Sequence, residues 1–162
     1  MIIDFFIKFA FIGIGSNLGS PKDNVVEAIE RLRKFSDEGL FVSSLLESKP
    51  LDCPPGSPDF INAVVGLIPK QNETRLSFLY KLQDVENEMG RQRSDLKNEA
   101  RIIDLDLLLF KNEENSTKEL TLPHPKILKR DFVLEPLQEI LKKSEFKGLI
   151  NFVIKTSQKN KI

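Results

Sequence analysis

Asp104 and Asp106 stand two apart in the run Arg101-Ile102-Ile103-Asp104-Leu105-Asp106-Leu107-Leu108-Leu109-Phe110. In a strand, side chains two apart project from one face, about 6.6 Å from each other along the chain, so this spacing sets two carboxylates side by side. Alternation assigns Ile102, Leu108 and Phe110 to the same face, and neutral flanks of this kind cannot pair the acids. Burying both charges unpaired costs several kcal/mol. A divalent cation removes that cost, because Mg²⁺ accepts one or two carboxylates, keeps waters and takes its remaining oxygens from substrate phosphates. The competing reading is an acid pair facing solvent on the open side of an antiparallel sheet.

Arg91, Arg93, Lys97 and Arg101 precede the acids, against only Asp95 and Glu99. A planar guanidinium donates two parallel hydrogen bonds to phosphate oxygens, and arginines beside a metal-binding acid pair suit phosphoryl or nucleotidyl transfer. A solvated surface loop is the alternative for these residues taken alone. His124, the only histidine, is boxed between Pro123 and Pro125 and followed by Lys126, Lys129 and Arg130; alone it is compatible with a structural or a catalytic role. Gly15-Ser16-Asn17-Leu18-Gly19 lacks the lysine and spacing of a phosphate loop and reads as a strand-to-helix turn able to line a pocket.

Elements able to position these groups follow from periodicity. An apolar strand is expected over 5–14, then a helix from Pro21 to about Phe35 with Ser20 as N-cap and Val25, Ile29, Leu32 and Phe35 inward. Strands are expected over 41–47 and 60–68, separated by a Pro- and Gly-rich loop at 52–58. Leu76, Leu79, Leu82 and Met89 mark a second helix over 73–89, closed by Gly90, and 102–110 forms a fourth strand. The order strand, helix, strand, strand, helix, strand is the split βαβ pattern of a ferredoxin-like α+β domain with an antiparallel sheet. C-terminal additions follow: a polar connection at 111–118, an edge strand at 119–122, and a helix over 132–141 that Pro136 should kink or restart. The last twenty residues are partly apolar and end in a polar tail.

The 162 residues carry 24 Lys+Arg and 24 Asp+Glu, a net charge of +0, so bulk charge does not hold the chain to nucleic acid or an anionic membrane. A single domain over 1–162 is expected. The apolar N-terminal stretch is interrupted by Asp4 and Lys8 and is too short for a membrane span. Cys53 is the only cysteine, in keeping with a reducing, cytoplasmic location.

The ordered motifs together resemble the 6-hydroxymethyl-7,8-dihydropterin pyrophosphokinase family. They are Gly15-Ser16-Asn17-Leu18-Gly19, Val42-Ser43-Ser44 with Pro50-Leu51, Pro58-Asp59-Phe60-Ile61-Asn62-Ala63, Glu86 with Gly90-Arg91-Gln92-Arg93, Arg101 through Asp106, and Leu122-Pro123-His124 with Arg130 and Phe132. The resemblance implies a ferredoxin-like fold and transfer of pyrophosphate from ATP to the pterin alcohol, with release of AMP, in folate biosynthesis. It implies that Asp104 and Asp106 hold two Mg²⁺ ions and that Arg91 and Arg101 are catalytic. Gln83, Glu86, Arg93, Leu107, Thr121, His124 and Arg130 would bind ATP. Ser48, Leu51, Phe60, Asn62 and Phe132 would bind the pterin, and a monomer is expected. The chain departs from the family pattern in having Asn98 near the place of a loop tryptophan, and in Glu99, Glu119, Lys49 and Asp52. A metal- or ligand-binding module on the same fold, and a nucleotidyl or glycosyl transferase using the same acids, are the other readings.

Overall fold

The computed structural model describes residues 8–142 together with Lys155 and Gln158. Strand β1 (Ala10–Ser16) leads into helix α1 (Pro21–Leu32), which a 3-10 turn extends through Phe35. Two short strands, β2 (Phe41–Val42) and β3 (Leu46–Ser48), precede β4 (Phe60–Leu67), helix α2 (Arg75–Glu88) and β5 (Asp104–Phe110). A hairpin of β6 (Asn115–Ser116) and β7 (Thr121–Leu122) and helix α3 (Asp131–Leu141) complete the described elements. The main sheet runs β2-β4-β1-β5, with β3 pairing β4 beyond β2, and every pairing is antiparallel. This is the α+β, ferredoxin-like order expected from the sequence.

Alternation along the strands divides two cores. Ala10, Ile12, Ile14, Ala63, Val65, Leu67, Leu105 and Leu107 pack against Val25, Ala28, Ile29 and Leu32 of α1 and Phe78, Leu82 and Val85 of α2. On the opposite face Phe9, Phe11, Val64, Leu108 and Leu109 meet Val133, Leu137, Ile140 and Leu141 of α3. Helix α3 therefore covers the Phe11–Val64–Leu108 end of that face, while the end carrying Gly13, Gly15, Asn62, Asp104 and Asp106 is left to line a cleft.

Several elements differ from the periodicity. The first strand starts at Ala10 and takes in Gly15 and Ser16, and the expected residues ahead of Lys8 lie outside the described ones, as do those of the apolar stretch near 149–154. The strand expected over 41–47 is divided because Ser43 supplies its own connection to β4: its N–H donates to Val64 O at 3.0 Å and its Oγ accepts from Val64 N–H at 2.8 Å. Helix α2 buries Phe78, Leu82, Val85 and Glu86, whereas Leu76 is 38% exposed; a buried acid on the inward face disguises the apolar stripe. Its N-terminus is closed by Thr74 and Ser77 as a reciprocal capping box. Helix α3 runs unbroken through Pro136, where packing of its apolar face outweighs one lost backbone hydrogen bond. A bulge opposite Phe11 and Ile12 reverses the alternation of β5 after Leu108, so Phe110 joins the first core and does not share the acids' face. Ile102 also packs against the first core, leaving Leu108 as the apolar neighbour of Asp106 on its face.

Candidate active site

Two rows of paired residues cross the uncovered end of the sheet. Asn62, Gly15 and Asp104 form one, and Val64, Gly13 and Asp106 form the next. The central strand thus contributes glycine in both rows. A Cβ at Gly15 would stand 3.5 Å from Asn62 Oδ1 and 3.6 Å from the Phe60 ring. With hydrogen in place of a side chain, the floor between the β4 residues and the acids stays open.

The acids are not left unpaired, contrary to what their neutral strand neighbours suggested. Arg91 and Arg101, from the segment before β5, reach Asp104 at 2.7 and 3.6 Å, and Arg130 lies 3.9 Å from Asp106. Glu86, only 3% exposed, organises the same cluster from α2. Its Oε2 accepts from Arg91 and from Leu105 N–H, and its Oε1 accepts from Arg93 at 2.9 Å. Burial raises the Glu86 pKa, with Arg91 pulling it back. Arg91 in turn is raised, the Asp104 and Glu86 charges outweighing its own burial. Arg101 Nε is the single buried side-chain nitrogen or oxygen without a hydrogen-bond partner among the described residues. Its guanidinium lies 5.6 Å from the Phe60 ring centre, so a cationic donor without a partner is held beside a flat aromatic face.

Burial, together with the Asp104 charge, pushes Asp106 up from 3.8 to about 7. A raised acid pKa stabilises the fold where the carboxyl is protonated: the contribution is full below about pH 4 and is lost as pH rises to about 7. Asp106→Asn is therefore expected to melt slightly higher than the parent at pH 7.5 without metal, the gain tempered by solvent because the Asp106 side chain is 34% exposed, with the difference shrinking towards pH 4. Thermal unfolding followed by circular dichroism across that range checks it; equal or lower melting of the variant at pH 7.5 contradicts it. Burial and the nearby Arg130 and Lys126 charges hold His124 down to about 4, so it is neutral at pH 7. Its Nδ1 accepts from Lys126 N–H at 3.2 Å, which leaves the proton on Nε2 as a donor.

Two clefts meet at the acid pair. The first, a cavity of about 330 Å³, is lined by Leu51, Phe60, Asn62, Arg101, Arg130 and Phe132 with Gly13 and Gly15 as floor. The second, of about 400 Å³, is lined by Gln83, Glu86, Arg91, Arg93, Leu107 and Thr121. Asp104, Asp106, His124 and Pro125 line both. Of the residues singled out from sequence, Arg130 lies apart from the expected nucleotide group, in the first cleft, with its guanidinium 5.7 Å from the Phe132 ring centre. Ser48 lines neither cleft, but its hydroxyl accepts from Asn62 Nδ2 at 2.7 Å. That amide also donates to Leu46 O at 3.0 Å, which directs the Asn62 Oδ1 acceptor towards Gly15.

Residues 11–142, which include both clefts, match the family model described as 7,8-dihydro-6-hydroxymethylpterin-pyrophosphokinase. The chain belongs to this family. It is 41% identical over 135 residues to the 2-amino-4-hydroxy-6-hydroxymethyldihydropteridine pyrophosphokinase of Haemophilus influenzae, covering 81% of this chain and 80% of that protein. The enzyme of the same name from Aquifex aeolicus is 37% identical, with 80% and 78% covered. A folate synthesis bifunctional protein of Arabidopsis thaliana is 35% identical over 80% of this chain and 26% of its own length.

Against this pyrophosphokinase family, two of the departures prove to be joined. Asn98 Nδ2 donates to Asp52 O at 2.8 Å, tying together two segments that line the first cleft. Glu99 accepts from the Ser94 N–H and hydroxyl within its own loop, and those bonds hold its pKa down. Glu119 lines the second cleft, and a hydrogen bond with it raises the exposed Tyr80 phenol. Asn17 does more than complete the strand-to-helix turn expected of it. It is 2% exposed and joins three segments: its N–H donates to Arg101 O, its Oδ1 accepts from Arg101 N–H at 2.8 Å, and its Nδ2 donates to Pro58 O. The available signal was an asparagine directly after a strand and before a helix, where a side-chain amide can satisfy loop backbone.

Proposed function

We propose that this chain, as a single domain, transfers the terminal diphosphate of ATP to the hydroxymethyl oxygen of 6-hydroxymethyl-7,8-dihydropterin, releasing AMP in folate biosynthesis. The observation that carries the reading is the junction of two clefts at Asp104 and Asp106, within a fold shared with pyrophosphokinases. The first cleft takes the flat pterin between Phe60 and Phe132, with Asn62 Oδ1 accepting from its edge and the segment of Ser48 and Leu51 closing the side. The second takes ATP, with Gln83, Leu107 and Thr121 along the nucleoside and Arg93 and His124 Nε2 donating to phosphate oxygens.

The acid pair fits Mg²⁺ brought in by the nucleotide. Two carboxylates fill only part of the ion's shell and leave the rest to phosphates and water. Asp104 and Asp106 would hold two Mg²⁺ ions, which when bound neutralise charge on the triphosphate oxygens. Arg91 and Arg101, already on Asp104, supply donors to the transferring group, and Glu86 positions Arg91 and Arg93. The acceptor oxygen forms a bond to the β-phosphorus, the bond from that phosphorus to the α-β bridging oxygen breaks, AMP carries away the electron pair, and the hydroxyl proton passes to solvent. No protein nucleophile takes part. Chromatography of a mixture of protein, ATP, Mg²⁺ and the dihydropterin alcohol is expected to give AMP only when the acceptor is present; acceptor-independent turnover, or none, contradicts the reading. No described helix is long and apolar enough to cross a membrane, and a cytoplasmic monomer is the proposed form.

A further inference from the structure

Val42-Ser43-Ser44 belongs to the motifs noted in the sequence, yet neither serine lines a cleft. The two hydroxyls serve different neighbours. Ser43 is buried and exchanges bonds with Val64 of β4. Ser44 faces α3, where Glu139 accepts from it repeatedly: Ser44 N–H donates to Oε1 and Oε2 at 3.1 and 3.0 Å, and Ser44 Oγ donates to Oε1 at 2.8 Å. These are charge-assisted bonds between groups 95 residues apart in sequence.

Their placement links the two walls of the first cleft. Glu139 lies seven residues after Phe132 on α3, two turns along the same helical face. Ser44 lies two residues before β3, whose Leu46 and Ser48 both accept from Asn62. Strand β3 is only three residues long and pairs with β4 alone, so its own ladder gives it little hold. Helix α3 already packs on β4 through Val133, Leu137 and Val64; the Ser44–Glu139 tie adds the start of β3 to that packing, and with it the Leu46 and Ser48 acceptors that orient Asn62.

We propose that Glu139 is a positioning residue for the acceptor cleft: by holding Ser44 it keeps the start of β3, and through it the Asn62 amide, in place for a flat bicyclic ligand. The role rests on the proposed function of that cleft. The second cleft draws on α2, β5 and β7 and does not depend on the contact, so the effect is selective.

The test measures dissociation constants of 6-hydroxymethyl-7,8-dihydropterin and of Mg-ATP by titration for the full chain and for Glu139→Ala, Glu139→Gln and Ser44→Ala, with melting curves for each. Glu139→Ala is expected to weaken pterin binding roughly 5- to 10-fold, the scale of one lost hydrogen bond, and to leave Mg-ATP within about twofold. Glu139→Gln, whose amide oxygen still accepts, recovers part of the loss, and Ser44→Ala combined with Glu139→Ala is no worse than Glu139→Ala alone. Unchanged pterin binding in Glu139→Ala, or equal weakening of both ligands, overturns the role and leaves the cleft assignment standing. If Glu139→Ala does not fold, Glu139→Gln combined with Ser44→Ala, which removes the carboxylate charge and the hydroxyl donor and leaves only an amide oxygen for the Ser44 N–H, decides between the same outcomes. Failure of the unaltered chain to bind the pterin removes the cleft assignment and this role together.

Discussion

Replacing Asp104 and Asp106 together by alanine is expected to lower turnover by at least about a thousandfold, the scale set by removing charge-stabilising groups from a transfer site, without loss of the fold. The argument begins with cost. Two carboxylates sit on one face of β5 with the buried Glu86 nearby, and both burial and the Asp104 charge raise Asp106. Four arginines, Arg91, Arg93, Arg101 and Arg130, offset these charges by ion pairs, but an apolar pair would need no such compensation. An acid kept at a cost to the folded state, as Asp106 is, marks a site shaped for ligand binding. The double variant should keep a cooperative melting transition, with relief at Asp106 set against the lost Asp104–Arg91 pair, and should lose Mg²⁺-dependent ATP binding. Retained Mg²⁺-dependent turnover would put the metal elsewhere; a collapsed melting temperature would make the acids structural.

Glu86→Ala is expected to have the opposite signature, losing stability and activity together. Glu86 is a buried acceptor for two arginines and a backbone N–H. Truncating one partner of a buried ion pair costs about 3–5 kcal/mol, and here it also strands Leu105 N–H at the start of the acid strand. Arg91 retains Asp104, so the guanidinium is pulled towards the acid it should share with ligand. Denaturant unfolding and steady-state kinetics on the same preparation check this: a drop on that scale with weakened Mg-ATP binding is expected. Full stability in Glu86→Ala would show that the arginines find other partners.

What could be read in advance follows from which interactions are local. The order of elements along the chain was legible because β1, β4 and β5 are long and alternate or run apolar, and α1 shows its stripe at helical spacing. The acid pair was legible because two charges interrupt an apolar strand. The bulge at Leu108 was not, since an inserted residue leaves no mark in a run of three leucines; it alone sends Phe110 to the other core. Nor was the pairing of Asp104 with Arg91, which joins residues 13 apart around the end of α2. Asn17 and Glu139 show the same limit over 84 and 95 residues: their types are ordinary, and their partners are set only when the sheet and α3 close.

The central claim, transfer of a diphosphate across the acid pair, is tested most directly by ³¹P nuclear magnetic resonance of the completed reaction with ATP, Mg²⁺ and 6-hydroxymethyl-7,8-dihydropterin. The account predicts AMP together with two coupled phosphorus signals belonging to the pterin product. ADP with a single pterin phosphate signal, or AMP with free pyrophosphate and unmodified pterin, would contradict it.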